Sequence, residues 1–186
     1  MIRSTFLVMA AIPLLFLAQP ACAADAANTH TTILLMDDPA GGWVHAVRSS
    51  QTFYDGERFR LSVRARQQGY LYILCLTSQG EAKLLYPSRS GDDNLIQSPA
   101  ARTIPERGWY RFDREAGEEQ IFVILSRAPL PELQQAIGLR DMGPEMLERY
   151  AAEALRSESS SRGIEIQNDR EPAVERIALR HESRDF

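Results

Sequence analysis

The chain has 186 residues, 44% of them hydrophobic and 25% charged, an ordinary globular composition that argues against a disordered chain and a polytopic membrane protein. This length suits one domain with a proper core rather than two. At a net charge of −4, with opposite charges interspersed and no basic stripe, the chain lacks the electrostatic footprint of a nucleic-acid or anionic-membrane binder.

The first residues read as a cleavable export signal. Arg3 gives a basic start, Ser4 to Ala18 run almost wholly apolar around Pro13, and Gln19-Pro20 break the run. The stretch is shorter than the roughly 20 apolar residues of a bilayer span. Ala21-Cys22-Ala23 then has the small-x-small spacing of a processing site, which places cleavage between Ala23 and Ala24, with Ala24-Asp25-Ala26 as a second choice. The domain plan is therefore a signal over 1–23, a flexible lead-in with a possible first strand over 24–42, and one β-sandwich over 43–186. The expected location is periplasmic or secreted, and not membrane-spanning. Lipidation at Cys22 is the weaker reading, because only Ala21 fits the residues that precede a lipidated cysteine. After processing Cys75 alone remains, so no internal disulfide is possible; within the apolar run Leu71–Leu76 it reads as a small buried hydrophobe.

Along the mature chain, Ile33–Met36 and Trp43–Val47 read as short strands. From Phe59 to Arg66 apolar and polar residues alternate strictly, which predicts a half-buried strand with Phe59, Leu61, Val63 and Ala65 inward. Tyr70–Leu76 is apolar on both faces, as in a central covered strand, with the Tyr70 and Tyr72 hydroxyls expected at a wet rim. Ser78–Glu81 turns into Ala82–Tyr86, and the short links predict three adjacent antiparallel strands. Trp109–Phe112 and Gln120–Ser126 are further strands, giving about seven. Helices are expected after Pro131 and Pro144, an insertion over about 130–157, the second with a stripe of Met146, Leu147, Tyr150, Ala151, Ala154 and Leu155 and a Glu145–Arg149 pair. Ser157–Arg162 reads as a loop. Ile164, Ile166, Val174, Ile177 and Leu179 suggest late strands returning to the sheet. The fold class is mainly β, an antiparallel Ig-like sandwich with one or two short helices in the C-terminal third.

The order Asp55-Gly56-Glu57-Arg58-Phe59-Arg60-Leu61, Gly69-Tyr70-Leu71-Tyr72-Ile73, Gly80, Leu84-Leu85-Tyr86-Pro87, Asn94, Ile104-Pro105, Gly117–Ile121 and Val123–Arg127 resembles a bacterial family catalogued as domain of unknown function 4384, over about Phe53 to Leu133. The resemblance implies a β-sandwich-like accessory domain found in exported proteins or attached to other modules. The family supplies no catalytic residues to transfer.

No catalytic, cofactor or metal constellation emerges from spacing. His30, His45 and His181 lack the spacing of a helical zinc pair, and Ser88-Arg89-Ser90-Gly91 lacks the first glycine and the helix of a nucleophile turn. His45 reads as a rim residue, Cys75 with His45 makes a poor nucleophile pair, and Asp92-Asp93-Asn94 reads as a solvated turn rather than a calcium loop. Arg58, Arg60, Arg64 and Arg66 occupy alternate positions and so share a face that could meet an acidic ligand. The expectation is a non-catalytic envelope module, without cofactor, that binds a protein or glycan. Its rivals are a subunit of a secretion or surface-assembly machine, docking through the Met146–Leu155 stripe, and an exported hydrolase built from His45, an acidic residue and a serine.

Overall fold

The computed structural model describes residues 30–38, 42–139, 142–160 and 172–183. The segment read as an export signal, its expected cleavage site at Ala23 and Ala24, Cys22, Ile164 and Ile166 lie outside them.

Two sheets pack face to face. The first takes β1 (His30–Asp37), β2 (Val44–Val47), β4 (Arg58–Ala65), β8 (Ala101–Ile104) and β9 (Tyr110–Arg111) in the order β2-β1-β4-β8, with β9 continuing the edge of β4. The second takes β3 (Thr52–Tyr54), β5 (Gly69–Leu76), β6 (Ala82–Tyr86), β7 (Leu95–Ile96), β10 (Gly117–Ser126) and β11 (Ala173–Glu182) in the order β3-β11-β10-β5-β6, with β7 beside β5. All pairs are antiparallel except β3 with β11. The mainly β sandwich read from the sequence is thus observed.

β4 does what its alternation dictates. Phe59, Leu61, Val63 and Ala65 are buried and face Leu71, Ile73, Cys75, Ile121, Val123 and Leu125 of the other sheet. That packing corrects the expected run of three adjacent strands. β4 and β5 belong to different sheets, and Gln67-Gln68 carries the chain across the core instead of making a hairpin. Gly69 enters β5 where no side chain fits, since a Cβ there would lie 2.9 Å from the Ser126 carbonyl oxygen. The true hairpin is β5–β6: the Thr77 amide donates to the Glu81 carbonyl at 3.0 Å across a turn that places Gly80 at φ +84°.

β1 also differs from expectation. It starts at His30 and lies between β2 and β4, with Leu34 opposite Leu61 and Met36 opposite Phe59. His30–Asp37 is part of the sandwich rather than a lead-in to it.

β5 and β10 are buried on both faces because a second layer covers them. Tyr72, Leu74, Phe122, Ile124 and Val174 meet Leu133 of α1 (Pro131–Gln135) and Leu147, Tyr150 and Ala154 of α2 (Pro144–Ser160). The stripe is core, as expected of a helix laid on the sheet, and not the assembly interface of the rival reading; only Leu155, half exposed, stands out of it. Tyr72 is fully buried and its hydroxyl accepts from the Leu130 amide at 2.9 Å, so it lies under the helical layer and not at a wet rim. Arg149 reaches Glu132 of α1 at 3.2 Å, tying the helices together rather than bracing its own with Glu145. The helix runs on to Ser160, through residues read from their serines as a loop.

Candidate functional site

The inward alternation of β4 leaves Arg58, Arg60, Ser62 and Arg64 on the outer face of the first sheet. The register extends that face sideways. Leu35 lies opposite Arg60 and Ile33 opposite Ser62; across the next ladder Asp37 lies opposite Val44 and Leu35 opposite Ala46. An apolar strip on β1 and β2 therefore runs beside the arginine row. Ile33 is 46%, Val44 50% and the preceding Trp43 68% exposed. Isolated exposed apolar residues are ordinary. Here Ile33 and Val44 share one face with Leu35 and Ala46, beside an edge strand of four residues whose far side has no partner among the described residues, while Trp43 precedes that strand. The helical layer covers the second sheet, and no described element covers this face.

The four arginines are not equivalent. Arg58 is ion-paired with Asp37. The Arg60 guanidinium lies 4.3 Å from the centroid of the Trp109 ring, and its Nε donates to the Gly108 carbonyl at 2.7 Å. This side chain is a cation held in place on an aromatic face. Arg64 and Arg66 are exposed and have no ion pair among the described residues; Arg66 stands one residue past the end of β4. Sequence reasoning found the row but missed Trp109 and the strip of Ile33, Leu35 and Val44, because their nearness to the arginines depends on the β4–β9, β1–β4 and β1–β2 pairings.

A separate cleft of about 350 Å³ opens between the turn after β6 and the segment before β9, lined in part by Tyr86, Ser88, Asp92, Asp93, Arg107 and Tyr110. Its polar groups are engaged with one another. The Tyr86 hydroxyl donates to the Asp93 carbonyl at 2.7 Å, and Arg102 donates to both the Tyr86 hydroxyl and that carbonyl. One Asp92 carboxylate oxygen accepts from the Ser88 amide, the Ser88 hydroxyl and the Arg89 amide, each at 3.0 Å. Asn94 turns inward to the Leu71 carbonyl at 3.2 Å. Asp92, Asp93 and Asn94 thus serve three different partners, as a turn does, and do not converge on a cation site. No histidine lines the cleft.

The other residues of the hydrolase reading are dispersed. His45 is exposed on edge strand β2, whereas Cys75 is buried in β5 of the other sheet. Burial, then the nearby Glu119 carboxylate, pushes the Cys75 thiol up to about 12. At pH 8 native protein is expected to leave Cys75 unmodified by an aromatic disulfide reagent and to react there fully in denaturant, followed by peptide mass mapping. Rapid native labelling of Cys75 would show that it is accessible.

One donor cluster escaped the sequence. Donor atoms of Asp113, Glu119 and His181 lie within 4.8 Å of one another. Glu119 and His181 come from adjacent strands, where Glu119 is opposite Leu179 and His181 opposite Gly117. Asp113 follows β9. These separations of 62 residues in sequence between Glu119 and His181 vanish only through the β10–β11 register. Burial raises the Glu119 carboxyl above its ordinary range, with the His181 ring opposing that rise.

The family model described as Domain of unknown function (DUF4384) matches residues 52–129, in agreement with the resemblance read from Asp55 to Arg127. The matched segment runs from β3 through β10 and carries the arginine row, Trp109 and the cleft. Nothing matches among curated proteins or among solved structures.

Proposed function

We propose that this chain is an exported, non-catalytic binding module of the cell envelope, and that it engages an acidic partner protein through the outer face of its first sheet. The observation that carries the reading is the juxtaposition on one uncovered face of Ile33 and Val44 with Trp109 and the cationic row Arg60, Arg64 and Arg66. Aromatic, apolar and arginine side chains together are the composition of interface anchors. The arginines select for acidic groups and speed encounter, while the apolar strip excludes water from the contact. A protein partner fits this mixture better than a glycan, because the strip beside the arginines is aliphatic, formed by Ile33, Leu35 and Val44, and the Trp109 ring on this face carries the Arg60 guanidinium. The export signal expected from the first residues supports the envelope setting.

The test is retention of a partner from solubilised envelope extract by immobilised wild-type protein and by the double variant Ile33→Ala/Arg64→Glu. The wild type is expected to retain a discrete acidic protein at low salt and to release it at high salt, as exposed charges require. The variant is expected to retain at least about tenfold less, the equivalent of losing about 1.4 kcal/mol. Equal recovery on both columns, or recovery of a polysaccharide alone, would overturn the reading.

A further inference from the structure

Charged and imidazole side chains are rarely placed inside an apolar core without partners, because the burial cost is not repaid. His181 is such a case. It is 1% exposed, and neither ring nitrogen has a hydrogen-bond partner. Its surroundings are otherwise apolar: the Phe112 ring lies 5.3 Å away, and Phe53 is its register neighbour on β3. Two carboxylates approach the ring without bonding to it, Glu119 at 3.9 Å from Nδ1 and Asp113 at 3.8 Å from Nε2. Both separations exceed hydrogen-bonding range. They are measured to different ring nitrogens; taking one ligand atom from each residue, the donors of all three lie within 4.8 Å of one another, against the roughly 3.5 Å that ligand atoms keep across a tetrahedral ion whose bonds are about 2.0–2.2 Å long.

We propose that Asp113, Glu119 and His181 bind one divalent transition-metal ion of the zinc type at this end of the inter-sheet core. Two carboxylates and a neutral imidazole balance the charge of a divalent cation, and the ion would satisfy a ring nitrogen that the fold leaves bare. One ring nitrogen binds the ion, and the other is then left as an N–H donor. The imidazole favours zinc-like ions over calcium or magnesium, which take oxygen donors. Three protein ligands leave a position for water. Access is provided by Asp113, whose side chain is 61% exposed, while His181 and Glu119 (0% and 12%) form the inner wall. Glu119 is steadied from behind by the Cys75 thiol, 4.0 Å from its second oxygen.

Metal-stripped protein titrated with zinc chloride by calorimetry tests this, alongside the near-isosteric variants Asp113→Asn and Glu119→Gln. The wild type is expected to bind one equivalent and to melt at a higher temperature with zinc, but not with magnesium or calcium at the same concentration. Both variants are expected to keep the wild-type circular dichroism spectrum and to bind at least about tenfold more weakly. Asp113→Asn, on an exposed side chain, keeps the test decisive if the buried variant folds poorly. Failure of the wild type to take up one equivalent, or unchanged affinity in Asp113→Asn, would overturn the proposal.

Discussion

Replacing Tyr150 with Asp is expected to destabilise the chain by about 4 kcal/mol or more, from the loss of a large buried ring and the burial of a charge. Tyr150 is 3% exposed, packs with Tyr72, Phe122 and Val174 in the layer between α2 and the second sheet, and donates its hydroxyl to Glu132 at 3.0 Å. An aspartate would leave a cavity and set a second carboxylate against Glu132. For a domain of this size the melting temperature should fall by roughly 10 °C or more. Thermal melts followed by far-UV circular dichroism check this. A variant that melts like the wild type yet loses an assembly partner would return α2 to the role of interface.

Phe112→Ala is expected to cost about 3–5 kcal/mol, the range for a fully buried phenylalanine. Its ring is stacked on Phe53 at 5.0 Å, tilted against Phe59 at 4.9 Å and set 5.3 Å from His181, so it closes one end of the inter-sheet core. Its backbone closes the same end: the amide donates to the Glu57 carbonyl at 3.1 Å and its carbonyl accepts from Gly56 at 2.9 Å. Nothing compact is available to collapse into the gap, since the neighbours are rigid rings on three different strands. Denaturant unfolding at equilibrium measures the loss; a change under about 1 kcal/mol would mean that this aromatic cluster is not the seal described.

What the sequence made legible was whatever a local period encodes. The strict alternation of Phe59–Arg66 identified the inward face of β4 residue by residue, and the two-faced apolarity of Tyr70–Leu76 identified a strand covered on both sides. The stripe Leu147, Tyr150 and Ala154 marked the helix face that docks. About seven strands, with late ones beyond them, were expected where eleven are present among the described residues; β7 is two residues long, β3 three and β8 four, too short to show a period. Sheet membership was not legible either. A short polar link such as Gln67-Gln68 serves equally for a hairpin or for a crossing between sheets, and only the packing of Phe59, Leu61 and Val63 against β5 decides it. The site followed the same rule. The arginine row lies on one strand and could be read; Ile33 and Leu35 come to it from β1, and Trp109 from beside β9. His181 looked like a terminal histidine without partners. The ladder that sets Gly117 opposite it brings Glu119 and Asp113 to its ring.

The central claim is that the uncovered face of the first sheet, and not the cleft beside Tyr86, is where a partner docks. A binding titration of the retained partner against wild type, Ile33→Ala/Arg64→Glu and the cleft variant Arg107→Ala tests it most directly. The expected result is wild-type affinity for the cleft variant and a loss of at least about tenfold for the face variant. The opposite ranking, with binding lost in Arg107→Ala and intact in Ile33→Ala/Arg64→Glu, would contradict it.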